Sequence, residues 1–106
     1  MEPSKIQLLG DELYEAMLAR EAVSPLTSRG EDISIEDAYH ISLRMLERRQ
    51  AAGARVIGKK IGVTSKAVQT MLNVHQPDFG YLTDDMVFNS GEVMPISERL
   101  IAPRAE

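Results

Sequence analysis

Ile6, Leu9, Leu13 and Met17 recur at three- and four-residue intervals near the start of the chain, with Glu12, Glu15 and Arg20 among them. That spacing places the apolar side chains on one stripe and predicts a helix from Ser4 to about Ala22. Gly10 within the pattern costs roughly 1 kcal/mol against alanine, so a frayed first turn is expected. Pro25 and the polar run Thr27-Ser28-Arg29-Gly30 end the helix and form a connector. Ser34 then reads as an N-cap, with Glu36 and Asp37 in the first turn, where the helix dipole favours acids. Ile35, Ala38, Ile41, Met45 and Leu46 form the second stripe, and Gly53 is the expected stop. These two helices, within 1–53, read as scaffold, and His40 reads as a packing or surface residue.

From 54 onward the period shortens, which predicts strands with one short helix. Arg55-Val56-Ile57-Gly58-Lys59-Lys60-Ile61-Gly62-Val63 is β-branched and bounded by turn formers. Alternation puts Ile57, Lys59, Ile61 and Val63 on one face and Val56, Gly58, Lys60 and Gly62 on the other. Thr64 or Ser65 caps a short helix with Ala67, Val68, Met71 and Leu72 on its buried side. Pro77 and Gly80 predict a tight turn around Asp78 and Phe79. Tyr81-Leu82-Thr83, Met86-Val87-Phe88 and Glu92-Val93-Met94 are expected as short strands. The fold class is therefore α+β, in one small domain or a piece of a larger one.

Composition narrows the function classes. The chain has 106 residues, 43% hydrophobic and 26% charged, which argues against disorder. No apolar run is long enough to span a bilayer, and the first residues carry acids where a signal peptide needs a basic start; a cytoplasmic setting is expected. With no cysteine there is no thiolate nucleophile, disulfide or zinc-thiolate site. Net charge is −4, yet Arg44, Arg48, Arg49, Arg55, Lys59, Lys60 and Lys66 cluster around a single acid, Glu47. A local positive field of this kind attracts a small anion. Nucleic acid is not expected, because the cluster lacks interleaved aromatics. Arg48 and Arg49 read as residues that favour the negative end of a helix.

The candidate chemistry lies in VIGKKIGVTSKAVQTMLNVHQPDFGYLTDDM. Lys60 projects between Gly58 and Gly62, which leaves an open slot beside its ammonium group. Glycines in a strand equally mark a bulge or close packing, with both lysines solvated. The start of the following helix offers free N–H groups to a carboxylate. Asp78 either closes an Asx-type turn or orients Lys60 or a water. Asp84 and Asp85 read as solvated turn acids, not a metal pair.

GKKIGVTSKAVQ, HQPDFGYLTDDM and the closing PRAE strongly resemble the 2-hydroxypenta-2,4-dienoate hydratases, also called 2-keto-4-pentenoate hydratases. The resemblance extends through DELYEAM and ISIEDAYHISLRMLERR, and so along the whole chain. That family is the hydratase/decarboxylase branch of the fumarylacetoacetase-like superfamily. The resemblance implies a lyase of catechol meta-cleavage that turns the dienoate into 4-hydroxy-2-oxopentanoate by ketonisation and addition of water. A divalent metal, Mg²⁺ or Mn²⁺, would chelate the carboxylate and 2-oxo oxygen. Lys60 and Asp78 match the catalytic positions, Thr64, Ser65, Phe79, Gly80 and Leu82 the substrate-binding segment, and Glu106 the first metal ligand. Partial burial and crowding by Lys59 are expected to favour the neutral Lys60 amine. The 4-oxalocrotonate decarboxylase of the same family is the alternative, and Gln76-Pro77-Asp78-Phe79-Gly80 looks more like the hydratase.

In that family the PRAE strand continues as a Glu-x-Glu pattern and a β-rich catalytic domain follows. Only Glu106 of that ligand set is present, so residues 1–106 are expected to be an N-terminal domain ending at the first strand of the catalytic part. Inactivity of the chain alone and a tendency to associate follow, as homo-oligomer or with the decarboxylase. A non-catalytic partner-binding module is the reading from another class.

Overall fold

The structure of the chain is a computed structural model that describes residues 1–102. Its elements are α1 (Pro3–Ala19), α2 (Ile35–Ala51), β1 (Val56–Gly62), α3 (Lys66–Leu72), β2 (Asp78–Thr83) and α4 (Ile96–Arg99), with 3-10 turns at Leu26–Arg29 and Asp84–Met86. The class is mixed helix and sheet, as expected from the change of period. Two compact units result: Met1–Gly53 with the segment from Ser90, and Ala54–Asn89.

The helical unit starts one residue earlier than expected, with Pro3 in the first turn of α1, where its missing N–H costs nothing. α1 ends sooner, at Ala19, because Arg20 turns left-handed (φ 55°) and the Glu21 N–H bonds back to the Ala16 carbonyl at 3.0 Å. α2 begins with a full capping box. Ser34 Oγ accepts from the Asp37 N–H, and the Asp37 carboxylate accepts from the Ser34 N–H, each at 3.0 Å.

α1 and α2 run in the same general direction: Met1 lies by Asp37, Gly10 by Arg44 and Glu15 by Arg48. The connector 20–34 makes this possible by carrying the chain back along α1, tied through Arg29–Glu12 and Lys5–Glu31 pairs. Leu9, Tyr14 and Ile41 form the buried core. Ile35 and Ala38, expected in the stripe, are exposed. At Gly10, α1 meets α2 at Ile41 and Arg44, beyond its first turn.

Gly10 is not a weak point but the place of that approach. A Cβ there would stand 2.5 Å from Arg44 Cβ and Cγ and 2.9 Å from the Ile41 carbonyl oxygen. Arg44 thereby reaches Asp11 at 2.8 Å, while Arg48 reaches Asp11 at 3.0 Å and Glu15 at 2.8 Å. The Arg48 guanidinium also stacks 4.5 Å from the centre of the Tyr14 ring. So Arg48 does more than favour a helix end: it bridges two helices.

In the other unit β1 and β2 form a two-stranded antiparallel sheet. The register pairs Gly58 with Leu82, Lys59 with Tyr81, Lys60 with Gly80, Ile61 with Phe79 and Gly62 with Asp78, with an irregularity between Val56 and Gly58. The turn expected at Pro77–Gly80 is therefore strand. The reversal falls earlier, where Asn73 turns left-handed (φ 55°) after α3. Pairing with β1 draws 78–80 into the ladder. α3 leaves Ala67, Met71 and Leu72 exposed, against expectation, and buries only part of Val68. Residues 86–88 and 92–94 form no strand: Asp84–Met86 is a 3-10 turn, and the chain from Val87 to Pro95 makes no ladder.

No helix among the described residues is long and apolar enough to cross a membrane.

Two expectations follow. Gly10→Ala improves helix propensity yet forces a Cβ against the Ile41 carbonyl; urea unfolding followed by far-UV circular dichroism should show a loss of about 1–3 kcal/mol. The hydrogen bond from Arg44 holds the Asp11 carboxyl below its ordinary value of 3.8, and the Ser34 N–H does the same for Asp37. The folded value lies below the unfolded one, so this stabilisation is complete above about pH 4 and fades as pH falls through the folded values. Asp11→Asn should flatten the acid limb of a stability-against-pH curve.

Candidate active site

The ladder decides which side chains meet. Residues opposite one another in an antiparallel pair share a face. Lys60, Gly80, Gly62, Asp78, Gly58 and Leu82 thus lie on one face, and Lys59, Tyr81, Ile61 and Phe79 on the other. Lys59 confirms the division, since its Nζ lies 5.9 Å from the centre of the Tyr81 ring.

Lys60 lies across β2 over Gly80. A Cβ on residue 80 would stand 3.3 Å from Lys60 Cγ and 3.5 Å from its Cδ. The ammonium group ends beside Gly62, 3.9 Å from where a Cβ would be. The Lys60 stem therefore runs over Gly80 of the opposite strand in a shallow channel, while both lysines are exposed and a register irregularity falls beside Gly58, as the alternative reading of the glycines expected. Gly62 faces Asp78, so the ammonium and the Asp78 carboxylate occupy the same end of the face. No ion pair joins them to each other or to another described residue.

Val63, Thr64 and Ser65 leave β1 at that end. Ser65 caps α3, its Oγ accepting from the Val68 N–H at 3.2 Å. Its hydroxyl proton stays available to an anion, because a hydroxyl donates one bond while accepting others. Leu82 closes the opposite end of the face, its Cδ1 3.7 Å from a Cβ placed on Gly58.

The Phe79 backbone, the part expected in the site, runs in β2 beside Lys60, and its ring lies on the other face. Two expectations change. Lys60 is exposed, and Lys59 stands on the other face, so neither burial nor its neighbour crowds the amine. Asp84 and Asp85 are not simply solvated. Asp84 Oδ1 accepts from the Arg55 N–H at 2.9 Å, and the fully buried Thr83 hydroxyl donates to Asp85. Thr83 was missed, and alternation alone had no means of showing it buried at the foot of the ribbon.

Glu106 lies outside the described residues. Among the described residues no group of three His, Asp or Glu side chains is placed to hold a metal ion. An apolar cavity of about 250 Å³ lies in the helical unit, lined by Leu13, Leu26, Ile41 and Met45 with the hydroxyls of Thr27 and Ser42. It contains no titratable group and is unrelated to the lysine channel.

No family model matches the chain. Among solved structures it is similar to the 4-oxalocrotonate decarboxylase from Pseudomonas putida G7 complexed with magnesium and adipate, with a TM-score of 0.75 and 25% identity over 80% of this chain and 32% of that one. The same similarity holds to the form complexed with calcium and acetate. The fold is thus a part of the fumarylacetoacetase-like hydratase/decarboxylase architecture. Within that class the sequence is similar to the dienoate hydratases along its full length. It is 79% identical over 106 residues to the 2-hydroxypent-2,4-dienoate hydratase of Pseudomonas putida, covering 48% of that protein. It is 56% identical over 102 residues to the 2-hydroxyhexa-2,4-dienoate hydratase of Comamonas testosteroni, covering 39%. The chain spans about half the length, or less, of these curated relatives.

Gly80→Ala tests the channel directly. The added methyl, 3.3 Å from Lys60 Cγ, should make the lysine stem give by a few tenths of an ångström and so move the Lys60 methylene and Gly62 chemical shifts. Contacts between Lys59 and Tyr81 should persist. Unchanged shifts at Lys60 and Gly62 would show that the channel does not need its glycine floor.

Proposed function

We propose that this chain is the N-terminal domain of a hydratase that adds water to 2-hydroxypenta-2,4-dienoate, giving 4-hydroxy-2-oxopentanoate in catechol meta-cleavage catabolism. The observation that carries the reading is 79% identity over the whole chain to a hydratase named for this substrate. Residues 1–53 supply the scaffold, and 54–106 lead through the lysine channel to the start of the catalytic β-rich part.

The face built by Lys60, Asp78 and Ser65 suits a small 2-oxo acid. A carboxylate or enolate oxygen placed at the Gly62 end receives charge-assisted hydrogen bonds from the Lys60 ammonium. The Ser65 hydroxyl and its neighbour Thr64 supply further donors. Ketonisation moves the proton of the 2-hydroxyl to carbon, and Lys60 is placed to relay a proton while Asp78 orients the amine or the attacking water. Water then adds across the remaining double bond, its hydroxyl ending on C4, so that substrate plus water equals product. The Gly80 and Phe79 backbone and Leu82 wall the channel.

In the complete enzyme a divalent metal, magnesium or manganese, belongs to the reading, in keeping with the metals bound by the similar decarboxylase structures. The described residues do not by themselves supply its ligands; Glu106 is the one candidate in this chain, and no step above runs through the ion. A homo-oligomer in the cytoplasm, with the decarboxylase as a possible associate, completes the proposal. Ile61 and Phe79, both more than half exposed on the ribbon's other face, suit cover by further protein.

The test joins the chain to the part of the Pseudomonas putida hydratase that lies outside their match. The chain alone should not hydrate the dienoate, the joined protein should, and Lys60→Ala in it should lower the rate about 10²- to 10⁴-fold. Decarboxylation of 4-oxalocrotonate with no hydration, or hydration indifferent to Lys60, would overturn the reading.

A further inference from the structure

Val63 has a backbone φ of 55°, in the left-handed region. The other non-glycine residues there, Arg20 and Asn73, each end a helix. Val63 ends a strand, and its branched Cβ makes this conformation unfavourable, so the surroundings must impose it. One side chain holds the turn's carbonyl: Gln69 in α3 donates from Nε2 to the Val63 carbonyl at 3.0 Å, a part-buried bond.

The position of this turn matters for the channel. Gly62, next to Val63, is where the Lys60 ammonium ends, and Thr64 and Ser65 come immediately after. An extended Val63 would continue β1 and carry each following residue about 3.3 Å further along the strand axis. Left-handed, it breaks the strand at once and lets Ser65 cap α3.

We propose that Gln69 is a positioning residue: its amide holds Val63 in the left-handed turn and so keeps Thr64 and Ser65 at the ammonium end of the Lys60 channel. The proposal rests on the hydratase reading and adds a residue that touches neither substrate nor lysine. The interaction needs a donor, which a carboxylate or an aliphatic side chain at 69 lacks.

The experiment uses the joined hydratase described above. Gln69→Leu should lower kcat roughly ten- to a hundredfold, the scale of a misplaced catalytic group, with circular dichroism unchanged. Val63→Gly accepts a positive φ without help, so Val63→Gly with Gln69→Leu should recover most of kcat. A merely structural role would lower the unfolding temperature and leave kcat of the folded enzyme intact. Parental kcat in Gln69→Leu, or a double variant that stays slow, overturns the proposal. If Gln69→Leu alone does not fold, the double variant decides: folded and active supports the role, and any other outcome removes it. An inactive parent would overturn the hydratase reading itself, whereas an active parent indifferent to Gln69 would remove only this inference.

Discussion

Lys60 crosses β2 at a distance that a Cβ on residue 80 would make too tight, 3.3 Å from its Cγ. The features around the candidate site depend on that close passage. It requires β2 to begin at Asp78, so that Gly80 falls opposite Lys60. Once that register is set, Asp78 faces Gly62 and stands at the ammonium end, while the apolar pair Ile61 and Phe79 takes the other face. A slip of one residue would exchange the faces and place the Phe79 or Tyr81 side chain where the lysine lies.

The helical unit uses the same device for another purpose. Gly10 admits the stem of Arg44, whose guanidinium then reaches Asp11. In both units a long cationic side chain packs where a backbone has no Cβ, and its charged head emerges beyond. The outcome differs with the surroundings. Arg44 and Arg48 are taken up by carboxylates of α1, whereas no carboxylate of the described residues lies within ion-pair distance of Lys60. Within the basic cluster Arg44 and Arg48 are therefore neutralised in a scaffold, and Lys60 stands apart from them on the ribbon.

Hydratases and decarboxylases of this architecture share the fold, and fold alone does not assign the reaction. The sequence is 79% identical over the whole chain to a hydratase, and the fold is similar to that of a decarboxylase at 25% identity over 80% of the chain. The channel is also open on one side, with Lys60 and Asp78 exposed. Acid–base work at neutral pH needs a drier site, so further protein over this face is part of the functional reading.

Local chemistry was readable from the residues alone. Ser34 caps α2, one of the two expected candidates, Ser65, caps α3, and Gly58, Lys60 and Gly62 alternate on one face, because caps and strand alternation depend on neighbours within a few residues. The resemblance to the dienoate hydratases was carried by motifs in the same way. What depends on residues distant in the chain was not readable. Gly10 looked like a flaw until Arg44 packed on it, and the 78–80 segment looked like a turn until β1 paired with it. Lys59 seemed to crowd Lys60 because adjacency in sequence hides opposite faces of a ribbon. Val63 matched a strand residue by type, yet it is left-handed, with the Gln69 amide of α3 on its carbonyl. Sequence by itself determined α1, α2, β1 and α3; tertiary structure decided which later segments pair as strands and which side chains share a face, because that depends on pairing across segments that propensity does not specify.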